Sequence, residues 1–323
     1  MILRVACPRQ LVGIVRIKPL SFKQTVLVTG ANGQVGRNIC RVFNGSFDVV
    51  GFSSRELDVS DAAAIQKIFD LVKPNIVINA AAYTKVDDAE MYIDLADRMN
   101  FHAVRYLCDA CLNYNSLLVH FSTDYVFDGV VTRPYGEEDR ANPLNAYGSS
   151  KLAGDKHVIE NANQYLIFRL AWVYDNNGTN FPKKILQLAK VKDQLTVVDD
   201  QFGTPTSADF IAKTVHQFIS MKAVDKKLGL NGLYNLVPNG AVSWFEFAGR
   251  LLSQADALGF DLKCKTRDLI PIKSSHMSQP AKRPQHVILD NRKIQRELGI
   301  RFDPWDSYIN EFLEQLRRQN DKI

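Results

Sequence analysis

From Thr25 onward two patterns alternate along the chain. Short, largely apolar runs occur at Val26–Thr29, Asp48–Phe52, Ile76–Asn79, Leu117–Ser122 and Tyr165–Leu170. Between them lie stretches in which apolar residues return every three or four positions. A continuous apolar run reads as a strand covered on both faces, and a three-to-four-residue return reads as a helix with one apolar stripe. The stripe Val35, Ile39, Val42, Phe43 predicts a first helix. Ile65, Ile68, Phe69 and Val72 predict a second, with Ser60 as its N-cap and Pro74 as its stop. A long helix is expected from Asp88 to about Asn113, and another over about Pro143–Asn161. The alternation continues through Leu195–Val198, a helix from about Thr206, and Leu233–Leu236. Ser243 and Glu246 have the spacing of a capping box for a helix ending near Gly259.

Strand–helix alternation with buried strands predicts an α/β chain built on a doubly wound parallel sheet. The final third, rich in proline and poor in apolar runs, predicts a smaller C-terminal substrate domain. The expected division is an N-terminal extension over 1–24 and a nucleotide-binding domain over 25–170 with return segments near 194–236. The substrate domain then takes 171–193 and 237–323.

Charge changes the picture at one place. The 323 residues hold 40 Lys+Arg against 35 Asp+Glu, and the whole surplus lies in residues 1–24, which contain five basic residues and no acid. The body is electrically balanced, so nucleic-acid binding loses its compositional support. The leader lacks the unbroken apolar segment of a secretory signal and the serines of a transit peptide. It reads as a non-catalytic extension or an early start codon. No uncharged apolar run approaches a membrane span, so a cytoplasmic location without a membrane partner is expected. Monomer and homodimer both stay open. Five cysteines form no disulfide framework in a chain this long, and Cys108-x-x-Cys111 falls within a helical stripe, as packing residues would. The histidines show no metal-ligand spacing.

Candidate chemistry begins where the first strand meets the first helix. Gly30-Ala31-Asn32-Gly33-Gln34-Val35-Gly36 is G-x-x-G-x-x-G. Such a turn lets backbone N–H groups and a helix N-terminus approach a pyrophosphate, giving a Rossmann-type dinucleotide site. At the end of the second run an acidic residue would read a free ribose 2′-OH. The chain has Ser53-Ser54-Arg55 instead, which suits a 2′-phosphate and favours NADPH, with NADH possible as a second donor. Asp58, with Val59 beside it, is placed to meet the adenine amino group. Tyr147-Gly148-Ser149-Ser150-Lys151 is Y-x-x-x-K on a predicted helix, so the ammonium is expected beside the phenol, lowering its pKa for proton transfer. Thr123 ends the fourth run, at the strand edge where open parallel sheets bind ligands, and can hydrogen-bond the same substrate oxygen.

These residues resemble those of the extended short-chain dehydrogenase/reductases and, among them, the dTDP-4-dehydrorhamnose reductases. The resemblance covers nearly all of the chain from Thr25. It rests on VLVTGANGQVG, INAAAYTKVDDAE, FSTDYVFDG, NPLNAYGSSKLAG, FRLAWVY, GTNFPKKIL and VVDDQFGTPTSAD. It implies reduction of the 4-keto group of dTDP-4-dehydro-β-L-rhamnose to dTDP-L-rhamnose, a donor for surface polysaccharide. It implies Thr123, Tyr147 and Lys151 as the catalytic triad, with Asn100 supporting Lys151 through water. It places Ala81, Ala82 and Tyr83 along the cofactor groove, and Asp124, Tyr125 and Trp172 against the sugar nucleotide. Trp172 is equally readable as a core aromatic. Some relatives dimerise through Mg²⁺ held by carboxylates; Asp209 and Glu297 are the nearest candidates, although Asp stands where Glu is usual. The segment from Arg283 to Leu298 fits the pattern loosely.

Three rival functions resemble this chain. A sugar-nucleotide 4,6-dehydratase characteristically has Asp-Glu after the Thr, whereas this chain has Asp124-Tyr125 and lacks the base for elimination. An epimerase would retain tightly held cofactor. A regulatory subunit similar to methionine adenosyltransferase β shares a YVFDG-type segment but serves as a binding partner, and Thr123, Trp172 and DDQFGTPT follow the reductase pattern instead.

Overall fold

The computed structural model describes residues 23–224 and 231–320, so the reading of residues 1–22 lies outside the described part. Six strands form one sheet: β1 (Thr25–Thr29), β2 (Asp48–Phe52), β3 (Ile76–Asn79), β4 (Leu117–Thr123), β5 (Tyr165–Leu170) and β6 (Asn231–Asn235). All neighbours run parallel, in the order β6-β5-β4-β3-β1-β2. The helices are α1 (Gln34–Phe43), α2 (Ala62–Val72), α3 (Val86–Met91), α4 (Ile93–Asp97), α5 (Ala103–Tyr114) and α6 (Ala146–Asn161). They continue with α7 (Phe181–Val191), α8 (Ala208–Val224), α9 (Trp244–Ala257), α10 (Arg292–Leu298) and α11 (Ser307–Asn320).

Alternate strand residues face opposite ways, and here both ways are apolar. Val26, Val28, Ile78, Val119 and Phe168 pack with α1 and α8 through Ile39, Phe43, Ile211 and Phe218. Leu27, Val77, Leu118 and Ile167 pack on the other face with α2 and α5 through Ile65, Phe69, Leu107 and Cys111. Cys108 and Cys111 are buried there as free thiols, and burial pushes both pKa values up, Cys108 to about 11. A further core gathers Ile185, Leu186, Phe247, Leu251, Ile309 and Phe312 from α7, α9 and α11, together with Tyr174 that follows β5. It also holds residues of a parallel ribbon pairing Leu195–Val198 with Leu269–Ile272. Helix α9 starts at the expected capping box: Glu246 N–H donates to Ser243 Oγ at 3.1 Å, and Ser243 N–H donates to Glu246 Oε2 at 2.9 Å. Among the described residues no helix is long and apolar enough to cross a membrane.

Local chemistry moves some boundaries. Helix α2 is capped by Asp61, whose carboxylate accepts from Ala63 and Ala64 N–H, while Ser60 donates its hydroxyl to Asp58. The charged acceptor takes the cap from the hydroxyl one residue earlier. The long helix expected over 88–113 is broken. Tyr92 leaves the helical region (φ −121°, ψ 54°), and Arg98–His102 is a π-helical turn that places Asn100 inward, 1% exposed. Apolar periodicity is blind to both events, since the stripe faces the same core on either side of the break.

Helix α6 sits unusually close to its neighbours because two of its residues lack a Cβ. A Cβ on Gly148 would overlap the Tyr125 carbonyl oxygen, and one on Gly154 would overlap the Asn100 carbonyl oxygen. Gly→Ala inside a helix ordinarily stabilises by about 0.5–1 kcal/mol. At Gly249 of α9 an added Cβ meets two side-chain methyls at ordinary contact distance, Thr266 at 3.5 Å and Leu269 at 3.9 Å. Gly249→Ala is therefore expected to raise the unfolding midpoint in a thermal melt. Gly154→Ala is expected to lower it, because backbone must move; equal gains at the two sites would show that α6 has room to spare.

Candidate active site

The C-terminal ends of the strands open into a cavity of about 470 Å³. One wall is the glycine-rich turn, where Gly33, Gln34 and Val35 line the space. Gly30 has φ +64°, and a Cβ there would lie 2.7 Å from the Ala80 carbonyl oxygen; a Cβ on Gly36 would overlap Gly30 itself. Gly33 caps α1 without a side-chain hydrogen bond, so the first-turn N–H groups of α1 have no side chain competing for them. Asn32 does not line the cavity; its carbonyl accepts from Arg37 at 2.7 Å and steadies the turn. Ala81 and Ala82 line the cavity beyond β3. Tyr83 instead exchanges backbone hydrogen bonds with the Asn100 amide, at 2.9 and 3.0 Å. The second amide hydrogen of Asn100 goes to Ser150 Oγ at 3.0 Å. Asn100 thus clips the Tyr83 backbone to α6, and its amide hydrogens are turned to Tyr83 and Ser150 rather than to Lys151.

At the end of β2, Ser54, Arg55 and Asp58 are exposed, whereas Val59 is 4% exposed and packs into the core. Asp58 accepts from Ser60 N–H and hydroxyl. One expectation needs correction here. Ser53 donates its backbone N–H and its hydroxyl to Glu56, at 2.8 and 2.6 Å, so a carboxylate does stand at this corner and one of the two hydroxyls is already engaged. The glutamate lies four residues past the strand end and returns through a tight turn, a fold-back that strand-end reasoning misses.

Across the cavity, β4 and α6 bring Thr123, Asp124, Tyr147 and Lys151 to one wall. Asn145 caps α6 by accepting from Gly148 N–H at 2.8 Å, which starts the helix at Ala146 and fixes the register of Tyr147. Thr123 hydrogen-bonds Tyr147 and donates to Asp124 Oδ1 at 3.0 Å. Burial pushes the phenol of Tyr147 up, and the Asp124, Tyr125 and Asp155 charges push the same way. Lys151 follows Tyr147 by one turn of α6 and lines the same cavity. Its long side chain runs under β4, donating to the Phe121 carbonyl at 2.5 Å with His120 Nε2 at 3.2 Å, and burial lowers its pKa to about 8.

The third wall comes from residues that strand and helix patterns do not single out. Trp172 has φ +44° and stacks on Trp244 with ring centroids 3.5 Å apart and planes 5° off parallel. Its other face rests on Gly203, where a Cβ would lie 2.5 Å from the indole. The glycine of DDQFGTPT is thus the floor on which Trp172 lies, which gives that motif a physical reason. Trp172 both lines the cavity and packs against the C-terminal core. Asn180 donates to Gln34 at 2.9 Å and ties this wall to the glycine-rich turn. Tyr125 lines the cavity and pairs with Arg283, whose guanidinium makes bonds of 3.0 and 2.7 Å to Asp87. Arg283 lies in the loosely matching C-terminal segment, so sequence offered only its charge as a signal. Asp209 is held by Arg41 and Lys213, and Glu297 accepts from Tyr234 at 2.8 Å, so both candidate metal carboxylates are engaged. No cluster of three or more metal-ligating side chains gathers among the described residues.

Burial raises the Asp124 carboxyl from 3.8 to about 7. Across about pH 4 to 7 the folded chain holds a proton that the unfolded chain releases, so stability falls as pH rises through that window and the loss is complete above it. Asp124→Asn keeps the acceptor for Thr123 and removes the charge. It is expected to stabilise the chain at pH 8 by at most about 4 kcal/mol, with the gain fading toward pH 4. Thermal melts at both pH values check this; a gain independent of pH would assign it to something other than the carboxylate.

The family profile described as the RmlD substrate binding domain matches residues 24–318. The chain is 37% identical to a dTDP-4-dehydrorhamnose reductase of Aggregatibacter actinomycetemcomitans, over 87% of this chain and 95% of that protein. It is 33% identical to one of Escherichia coli K12, over 90% and 97%. The dTDP-4-dehydrorhamnose reductase of Bacillus anthracis, solved in complex with NADP, superposes with a TM-score of 0.83 at 32% identity, covering 91% of this chain and 99% of that one. On this agreement of fold, cleft and sequence, the chain belongs to the RmlD family of dTDP-4-dehydrorhamnose reductases.

Proposed function

We propose that this chain uses NADPH to reduce the 4-keto group of dTDP-4-dehydro-β-L-rhamnose, giving dTDP-L-rhamnose. The observation that carries this reading is the meeting of Thr123, Asp124 and Tyr147 on one wall of a cavity whose opposite wall is the N-terminus of α1. The crowded backbone at Gly30 and Gly36 and the absence of a side-chain cap on α1 suit a diphosphate. Ser54 and Arg55 would meet the 2′-phosphate, Asp58 the adenine, and Ala81 and Ala82 would bound the groove. When bound, NADPH supplies the hydride for C4. Lys151 would hold the nicotinamide ribose, and Thr123 would orient the substrate carbonyl. Tyr147 would give its proton to the developing alkoxide. A phenol kept protonated by burial and by nearby acids has the form a reduction requires. Asp124, Tyr125 and the Trp172–Trp244 stack would seat the sugar nucleotide.

The same reading assigns the nucleotide-binding domain to 25–170 with return segments near 194–236, and the substrate domain to 171–193 and 237–323. Glu56 at the end of β2 leaves room for NADH as a weaker donor, since a carboxylate can accept from a free ribose hydroxyl.

With NADPH and dTDP-4-dehydrorhamnose supplied, the expected product by NMR is dTDP-L-rhamnose. Tyr147→Phe is expected to lower kcat by on the order of 10²-fold or more while NADPH binding is kept. Unchanged turnover in that variant would sink the assignment of Tyr147. Arg55→Ala is expected to raise KM for NADPH by about tenfold, the loss of a charge-assisted phosphate contact, and to leave KM for NADH within about twofold. Equal losses for the two donors would mean that Arg55 does not read the 2′-phosphate.

A further inference from the structure

Beneath the cavity wall a line of buried polar side chains crosses the sheet from β1 to α6. Thr29 donates its hydroxyl to Asn79 Oδ1 at 2.7 Å, and the backbone N–H of Ala81 donates to the same oxygen at 3.2 Å. A backbone N–H can only donate, so this oxygen is an acceptor and the NH₂ of Asn79 faces His120 Nδ1, 3.2 Å away. Nδ1 therefore accepts. His120 is fully buried, and burial together with the Lys151 charge drives its pKa well below the ordinary value, so the ring is neutral. A neutral ring with an accepting Nδ1 carries its proton on Nε2. That N–H points toward Lys151 Nζ at 3.2 Å and Asp155 Oδ1 at 3.7 Å. Asp155 Oδ2 already accepts from Ser122 at 2.5 Å.

An N–H cannot accept a hydrogen bond from an ammonium; it can only donate to the lone pair of the uncharged amine. We infer that His120, locked by Asn79 as its Nε2–H tautomer, is a positioning residue that supports the uncharged amine of Lys151 and so makes that lysine a titrating group of the reaction rather than a permanent cation. The inference rests on the proposed reduction, in which the ammonium is the active form because it holds the ribose and steadies the phenolate left on Tyr147. The other charged or titratable groups around this pair are Asp155 and Tyr147 on α6, Asp124 after β4, and Arg169 on β5, which acts through Asp155. Of these, the phenol of Tyr147 is engaged with Thr123, Arg169 acts on Asp155, and the Asp155 charge favours the ammonium.

Two measurements test this on the full chain. Long-range ¹H–¹⁵N spectra, with the His120 ring assigned by its loss in His120→Gln, should show a proton on Nε2 and none on Nδ1 from pH 6 to 9. A proton on Nδ1, or titration of the ring in that range, overturns the inference whether or not the enzyme is active. In His120→Gln the side-chain carbonyl can accept from the ammonium where the imidazole N–H cannot. The alkaline limb of kcat, with NADPH and dTDP-4-dehydrorhamnose, should then move up by about one pH unit. A limb that stays in place, or moves down, overturns the inference. If the native chain fails to turn over this substrate, the proposed function falls, and the spectra still decide the tautomer.

Discussion

Everything at this site depends on how closely α6 can approach the backbone at the end of β4 and the π-helical turn before α5. Gly148 and Gly154 remove the two Cβ atoms that would hold the helix off. With the helix seated, Asn145 caps it, Asn100 clips Ser150 to the Tyr83 backbone, and Tyr147 reaches Thr123. An ångström of retreat would weaken each of these at once, because hydrogen bonds fall off steeply with geometry. The glycines in the N-A-Y-G-S-S-K-L-A-G stretch therefore carry as much of the function as its tyrosine and lysine, although neither touches the cavity.

Close packing also explains the electrostatics. Lys151, Asp155, His120 and Arg169 are nearly or fully buried, and each would be costly alone. They persist because they meet one another and the backbone: Lys151 finds a carbonyl, Asp155 a hydroxyl, and Arg169 the Glu137 carbonyl and the face of Phe127. The result is a set of groups whose protonation answers to neighbours rather than to solvent. Asp124, raised to about 7 by burial, is the member that most clearly trades stability for placement.

The parallel sheet and its two apolar faces were legible because burial on both faces leaves continuous apolar runs in the strands themselves, as Val26, Leu27 and Val28 illustrate. The glycine-rich turn, Thr123 and Y-x-x-x-K were legible because fixed spacing on a known element brings them together. What escaped was what the chain brings together only in space. Glu56 folds back on Ser53 across a turn, Trp244 reaches Trp172 from a distant helix, and Arg283 reaches Tyr125 from the far end of the chain. His120 escaped for another reason. Inside an apolar run it reads as a packed core residue, and only the Asn79 amide beneath it discloses a defined polar role.

The balanced charge of the body acquires a physical sense from this arrangement. A cleft for two anionic nucleotides would ordinarily rest on a basic surface, yet among the described residues its cations are individually placed. Arg55 stands exposed beyond β2, Lys151 is buried in the cavity wall, and Arg283 is held by Asp87 beside Tyr125. A broad basic field would attract any polyanion and would weaken with salt. Single cations held in fixed geometry, with helix N–H groups between them, respond to the spacing of the phosphates instead. Selectivity for a nucleotide and a sugar nucleotide side by side then follows from distance rather than from net charge.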